Sequence, residues 1–175
     1  MTIKNLISAL VSLAALAAPL PAIAQSLADG AAAYDAGDYT QAHKIFHDLA
    51  TAGSAAAQFN MGNLFLNGWG VTQNDGEAVR WYRLSSEQGY PAAQFLLGSL
   101  YSNGQGVTQD HTTAVQWYRL AARQGHAGAQ FILGLHYYHG QGVERDHAEA
   151  VRWITLAAEQ GSPEAQQALE ALEVR

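Results

Sequence analysis

The chain repeats itself at an offset of 36 residues, and no other property restricts its possible folds so tightly. Gln58, Gln94, Gln130 and Gln166 share one phase, each preceded by an alanine (Ala57, Ala93, Ala129, Ala165). Gly62, Gly98 and Gly134 follow in the same register, then Gly68, Gly104 and Gly140, then the pairs Gly70-Val71, Gly106-Val107 and Gly142-Val143. The second half of the unit recurs as Ala78-Val79-Arg80-Trp81-Tyr82, Ala114-Val115-Gln116-Trp117-Tyr118 and Ala150-Val151-Arg152-Trp153-Ile154, closed by Gly89, Gly125 and Gly161. A short period without slippage calls for one supersecondary unit stacked on copies of itself, with neighbours burying a shared core.

Each unit reads as two helices. Ala114, Val115, Tyr118, Ala121 and Ala122 recur at spacings of three and four with Trp117 beside them, the pattern of a helix that buries one broad stripe. Asn74, Asp110 and Asp146 stand where that second helix begins and can cap it. Glu77 and Glu149, three residues after Asn74 and Asp146, predict a capping box. The first helices are expected over Ala55 to Asn67, Pro91 to Asn103 and Ala127 to His139. Glycine in mid-helix costs roughly 1 kcal/mol against alanine, so its recurrence at Gly62, Gly98 and Gly134 predicts a close crossing by the paired helix. Trp81, Trp117 and Trp153 are expected to pack between helices. The Gly-x-Gly-Val turn is not a phosphate loop, since no strand precedes it and no Lys-Ser or Lys-Thr follows.

With these residues in view the unit resembles the Sel1-like repeat, a relative of the tetratricopeptide repeat with a longer, glycine-rich turn. The likeness runs from Gln58 to Pro163 through Leu97-Gly98, Tyr101, Gly104, Gly106-Val107, Asp110, Ala114, Trp117-Tyr118, Ala121-Ala122 and Gly125. It implies an all-α, right-handed α/α solenoid of helix-turn-helix repeats. Residues 54–89, 90–125 and 126–161 form the three units. Residues 25–53 resemble a tetratricopeptide unit that caps one end, and residues 162–175 a capping helix at the other.

Residues 1–24 read as an export signal: Lys4 precedes an apolar stretch from Leu6 to Ala18, and the small pair Ala22 and Ala24 suits cleavage before Gln25. The apolar stretch is shorter than a membrane span and is broken by Pro19. A periplasmic or secreted protein is therefore expected, with no stable membrane insertion once the signal is removed. With no cysteine among its 175 residues, the chain has neither disulfides nor a lipidated cysteine, and its stability must come from packing. A formal charge of −6 gives no basic field for a phosphate backbone, which argues against nucleic acid as partner.

No catalytic set stands out. There is no Gly-x-Ser-x-Gly elbow, and no carboxylate pair is marked off from caps and solvated helix faces. His43 and His47 share a helix face, but a zinc site needs further protein ligands, and no metal or cofactor is assigned. His136 and His139 are a second pair at helical spacing. The resemblance implies that the first helices line the concave face and hold a protein or peptide there. The positions that vary between units are then candidates for contact: Asn60, Asn63 and Asn67; Ser99, Ser102 and Asn103; Leu135, Tyr138 and His139. Trp69, whose counterparts are Gln105 and Gln141, is a further candidate contact, or else packs against the preceding unit. A non-catalytic adaptor or scaffold of the bacterial cell envelope is the leading expectation. An envelope hydrolase acting on β-lactams or peptidoglycan is the alternative, implied by relatives of the resembled family.

Overall fold

The computed structural model describes residues 20–173. The export signal expected over residues 1–24 therefore lies, as far as residue 19, outside the described residues. Among the described residues there are nine helices and no strand: α1 (Leu20–Asp35), α2 (Tyr39–Thr51), α3 (Ala55–Asn67), α4 (Asp75–Glu87), α5 (Pro91–Asn103), α6 (His111–Arg123), α7 (Ala127–His139), α8 (His147–Glu159) and α9 (Pro163–Glu173). Each helix packs on the next in sequence, giving an all-α solenoid of helix pairs as expected. No helix among the described residues is long and apolar enough to cross a membrane.

The interior is shared between units. Ala42, Phe46 and Ala50 of α2 cluster with Ala57, Met61 and Leu64 of α3. Ala78, Val79 and Tyr82 of α4 meet Ala93, Leu97 and Leu100 of α5, and Val115, Tyr118 and Ala122 of α6 meet Ala129 and Leu133 of α7. The phase-marking glutamines close these seams. Gln94 is buried, donates through Nε2 to the Ser86 carbonyl at the end of the preceding second helix (3.1 Å), and accepts from Gln124 (2.8 Å). Gln58 and Gln130 repeat the arrangement with Ala50 and Gln88, and with Ala122 and Gln160. A recurring buried amide thus ties the last turn of one unit to the next, adding a second donor to carbonyls that also accept from the N–H of Gly53, Gly89 or Gly125.

The mid-helix glycines sit where the paired helix crosses. A Cβ at Gly98 would come within 2.8 Å of the Tyr118 ring and 3.2 Å of the Ala114 carbonyl oxygen, and at Gly62 within 2.5 Å of the Tyr82 ring. The second glycine of each turn works between units. Gly106 has φ +70°, and a Cβ there would lie 2.6 Å from the backbone of Asp75, the first residue of α4 one unit back.

One expectation needs correction. The capping boxes are half-formed: Asn74 Oδ1 accepts from the Glu77 N–H (3.1 Å), but the Glu77 carboxylate turns to Arg80. The reason is that the Asn74 N–H already donates to the Phe65 carbonyl (2.9 Å), as Asp110 does to Tyr101 and Asp146 to Tyr137. The three tryptophans of this phase pack between helices as expected, but not equally deeply: Trp81 and Trp153 are buried, whereas Trp117, against the α4–α5 cluster, is only half-buried. Arg80 and Arg152 lay their guanidinium groups over the Trp81 and Trp153 rings, and Gln116 in the middle unit has none to offer.

Candidate functional site

The first-helix face divides into two chemically different parts, and the buried side chain beneath it sets the division. In the first unit that side chain is Tyr82, whose hydroxyl donates to Asn63 Oδ1 (2.7 Å). In the second it is Tyr118, whose hydroxyl is hydrogen-bonded with Ser99 and Ser102. Burial raises both phenol pKa values. Asn63, Ser99 and Ser102 therefore satisfy a buried hydroxyl from within the fold. In the third unit Ile154 takes the place of the tyrosine and needs no polar partner. Leu135 and Tyr138 then stand at the phases of Ser99 and Ser102.

The apolar end is concave. Leu135, Tyr138 and His139 of α7 line a cavity of about 350 Å³ with Ile154 of α8 and Ala168, Ala171 and Leu172 of α9. Tyr138 meets the rings of His139 (5.0 Å) and His147 (6.2 Å). Three of the candidate residues are thus brought together. Asn60 is half-buried on α3, while Asn67 and Asn103 are exposed and bond within their own helices, to the Asn63 carbonyl (2.8 Å) and to Ser99 Oγ (3.4 Å).

Trp69 lies apart from this face. It stacks on Tyr39 (5.2 Å) and meets Tyr34 edge-on (5.5 Å), so its indole packs against the preceding unit. Among the described residues no three histidine, cysteine, aspartate or glutamate side chains converge as a metal site. His43 and His47 lie 5.9 Å apart and face Phe65 and Trp81 respectively. His126 caps α7, its Nδ1 accepting from the Ala129 N–H (3.1 Å), and stacks on Phe95. His136 is buried at the phase of Leu64 and Leu100, with Nδ1–H donating to the Gln141 carbonyl (2.8 Å). Burial is the main cause that lowers both pKa values from the ordinary 6.5.

A second concavity, about 710 Å³, opens between α6 and α8. Arg119, Arg123, Arg145 and Arg152 line it with Tyr137 and Trp153. Sequence reasoning missed this cluster. The available signal was departure from phase, since Arg123 and Arg145 have Glu87 and Gln109 one unit earlier.

The family model for the Sel1 repeat matches residues 55–90, 91–126 and 127–162. Among solved structures, the chain is similar to a Sel1 repeat protein from Oxalobacter formigenes, at 36% identity and TM-score 0.79 over 82% of this chain and 59% of that one. It is also similar to a protective antigen of uropathogenic Escherichia coli strains displaying an SLR fold, at 38% identity and TM-score 0.78 over 82% of this chain and 32% of that one. A third likeness is to Helicobacter pylori cysteine rich protein B, at 25% identity and TM-score 0.59 over 73% of this chain and 96% of that one. The chain thus spans less than two thirds of the first two. No curated protein matches it.

Proposed function

The chain belongs to the Sel1 repeat family, and from that premise we propose that it is an exported, non-catalytic adaptor of the bacterial cell envelope that holds a protein or peptide on its first-helix face. Family membership supports the general part of this reading, because Sel1 repeat proteins are generally protein-interaction scaffolds. One observation carries the rest: the cavity where Leu135, Tyr138 and His139 meet α9. An apolar pocket with an aromatic wall suits a hydrophobic anchor side chain of a bound polypeptide. Asn60, Asn67 and Asn103, along the same row of helices, carry amide groups suited to hydrogen bonding with an extended backbone. The Lys4-to-Gln25 pattern supports export. The hydrolase alternative is not favoured, since the charged pairs on the helices are caps and surface bridges such as Arg80–Glu77 and Arg152–Glu149.

The test begins with fractionation and intact mass. Export predicts a periplasmic or secreted species that starts at Gln25. Capture from envelope extract then compares the parent with Leu135→Asp and Tyr138→Ala, and the captured protein is identified and its affinity measured with purified components. Loss of about tenfold or more in affinity, with unchanged circular dichroism, supports the face. Equal affinity of parent and variants would remove it. Turnover of nitrocefin or of muropeptides by the purified protein would instead promote the hydrolase.

A further inference from the structure

The cleft between α6 and α8 gathers four of the nine lysines and arginines of a chain whose formal charge is −6. Arg119 and Arg123 stand one turn apart near the end of α6, Arg145 lies on the turn before α8, and Arg152 lies within α8. Like charges repel at short range, so gathering them on an acidic protein needs a reason.

Packing accounts for Arg119 and Arg152 but not for Arg123 and Arg145, because the repeat contains its own control. One unit earlier the same scaffold has Arg83 bonded to the Tyr101 hydroxyl (2.6 Å), just as Arg119 bonds to Tyr137 (3.0 Å). Trp117 there occupies the phase of Trp153. The two later seams thus share an arginine, a tyrosine and a tryptophan, where the first has His47, Phe65 and Trp81. Arg152, like Arg80, packs over its own tryptophan, but nothing in the repeat calls for Arg123 and Arg145, since Glu87 and Gln109 serve at the equivalent places.

The carboxylates of the cleft define what it can accept. Glu149 pairs with Arg152 (3.1 Å), and Asp146 accepts from the Glu149 N–H (3.0 Å) as the cap of α8. Glu144 is exposed on the rim, and Arg145 reaches over the Tyr138 ring at 5.8 Å. Arg119 and Arg123 line the cleft from α6 as a cationic wall, and Glu144 and Asp146 line it as acceptors from the turn before α8. A dense polyanion meets three carboxylates here and is disfavoured. A peptide with spaced carboxylates matches both walls. Its side chains suit the guanidinium groups, its backbone N–H groups suit Glu144 and Asp146, and its apolar parts suit the half-buried Tyr137 ring.

We propose that this cleft is a second binding site, which takes an acidic polypeptide segment through Arg119, Arg123 and Arg152. It goes beyond the function proposed above: the two concavities share no lining residue and meet where Arg145 lies over the Tyr138 ring, and Arg123→Gln alone tests this cleft without touching that contact.

The experiment uses the purified chain and a short fluorescent peptide of alternating Glu and Ala, read by anisotropy against its Gln-for-Glu analogue. The variant carries Arg123→Glu, Arg145→Gln and Arg152→Gln, each importing the residue that the chain itself uses one unit earlier. The single variant Arg123→Gln, at an exposed position, serves should the triple variant lose its circular dichroism. The parent is expected to bind the acidic peptide about tenfold or more tightly than the Gln analogue, with affinity falling as salt rises. The variant is expected to lose that preference. Equal binding of both peptides by the parent, or an unaltered preference in the folded variant, overturns the proposal. So does displacement of the peptide by inorganic phosphate at equal concentration, which would mark a simple anion site.

Discussion

Gln94 shows how one residue can serve both structure and register. Its amide donates to the Ser86 carbonyl and accepts from Gln124 in a seam where its side chain is almost fully enclosed. Replacing it with leucine removes both bonds, leaving the Ser86 carbonyl with only the Gly89 N–H and the exposed Gln124 amide to water, and the cost should be about 0.5–1.5 kcal/mol in urea denaturation. Gln166 stands at the same phase but is exposed on α9 and makes one long bond, to Ala158 (3.3 Å). Gln166→Leu should change stability by no more than about 0.5 kcal/mol. The sequence displayed this glutamine as a phase marker without disclosing its task, because a recurring polar residue reads equally well as solvated or buried. Histidine carries the second residue-scale effect. His126 and His136 have pKa values lowered by burial, so their protonation is disfavoured in the folded state. His111 and His139 add to this at His136, and the bond to Gln141 opposes it. A lowered folded pKa means that stability is fully present above 6.5 and is lost as pH falls through the folded values. Thermal unfolding should therefore drop on acidification from pH 7, and His136→Leu, which restores the residue used at Leu64 and Leu100, should flatten the profile. An equal acid slope in that variant would assign the effect elsewhere.

At the level of helices, sequence reasoning did well because local signals and the repeat agree. The first helices run over Ala55–Asn67, Pro91–Asn103 and Ala127–His139, and Asn74, Asp110 and Asp146 cap the second ones. The capping box was misread, since the backbone N–H it would satisfy is taken by a carbonyl nine residues upstream, such as Phe65 for Asn74. That bond depends on how the glycine turn folds, which no helix signature reveals. The candidate site was less legible for a related reason. Asn63, Ser99 and Ser102 vary between units as contact residues would, yet Tyr82 and Tyr118 engage them from inside. Variation at one phase can compensate for variation at another, and only the packed structure separates that from partner choice. Helix crossing gives a sharp test. Gly98→Ala places a methyl against the Tyr118 ring and the Ala114 carbonyl, so it should destabilise by about 1–3 kcal/mol despite alanine's better helix propensity. A stabilised variant would show that α5 and α6 separate freely at their crossing.

Across the whole molecule the stack is held by neighbours alone, so its stability should be divisible. Apolar clusters join the second helix of one unit to the first of the next, the buried glutamines bridge the same seams, and the turn glycines touch the backbone one unit back. In such a chain damage at one seam weakens the two units that meet there and leaves distant ones coupled to their remaining neighbours. Gly106 is the place to cut. Its φ of +70° suits glycine, and a Cβ there collides with the Asp75 backbone, which cannot retreat without moving the start of α4. Gly106→Ala should strain its own turn and push the second unit off the first. Native-state hydrogen exchange should then show faster exchange in α4, α5 and the turn before α6, with α8 and α9 near their parental rates. Uniform acceleration along the chain would mean that the solenoid unfolds as one cooperative block. Acceleration confined to the turn would mean that the contact with Asp75 contributes nothing to the stack, leaving the seams to the glutamines and the shared core.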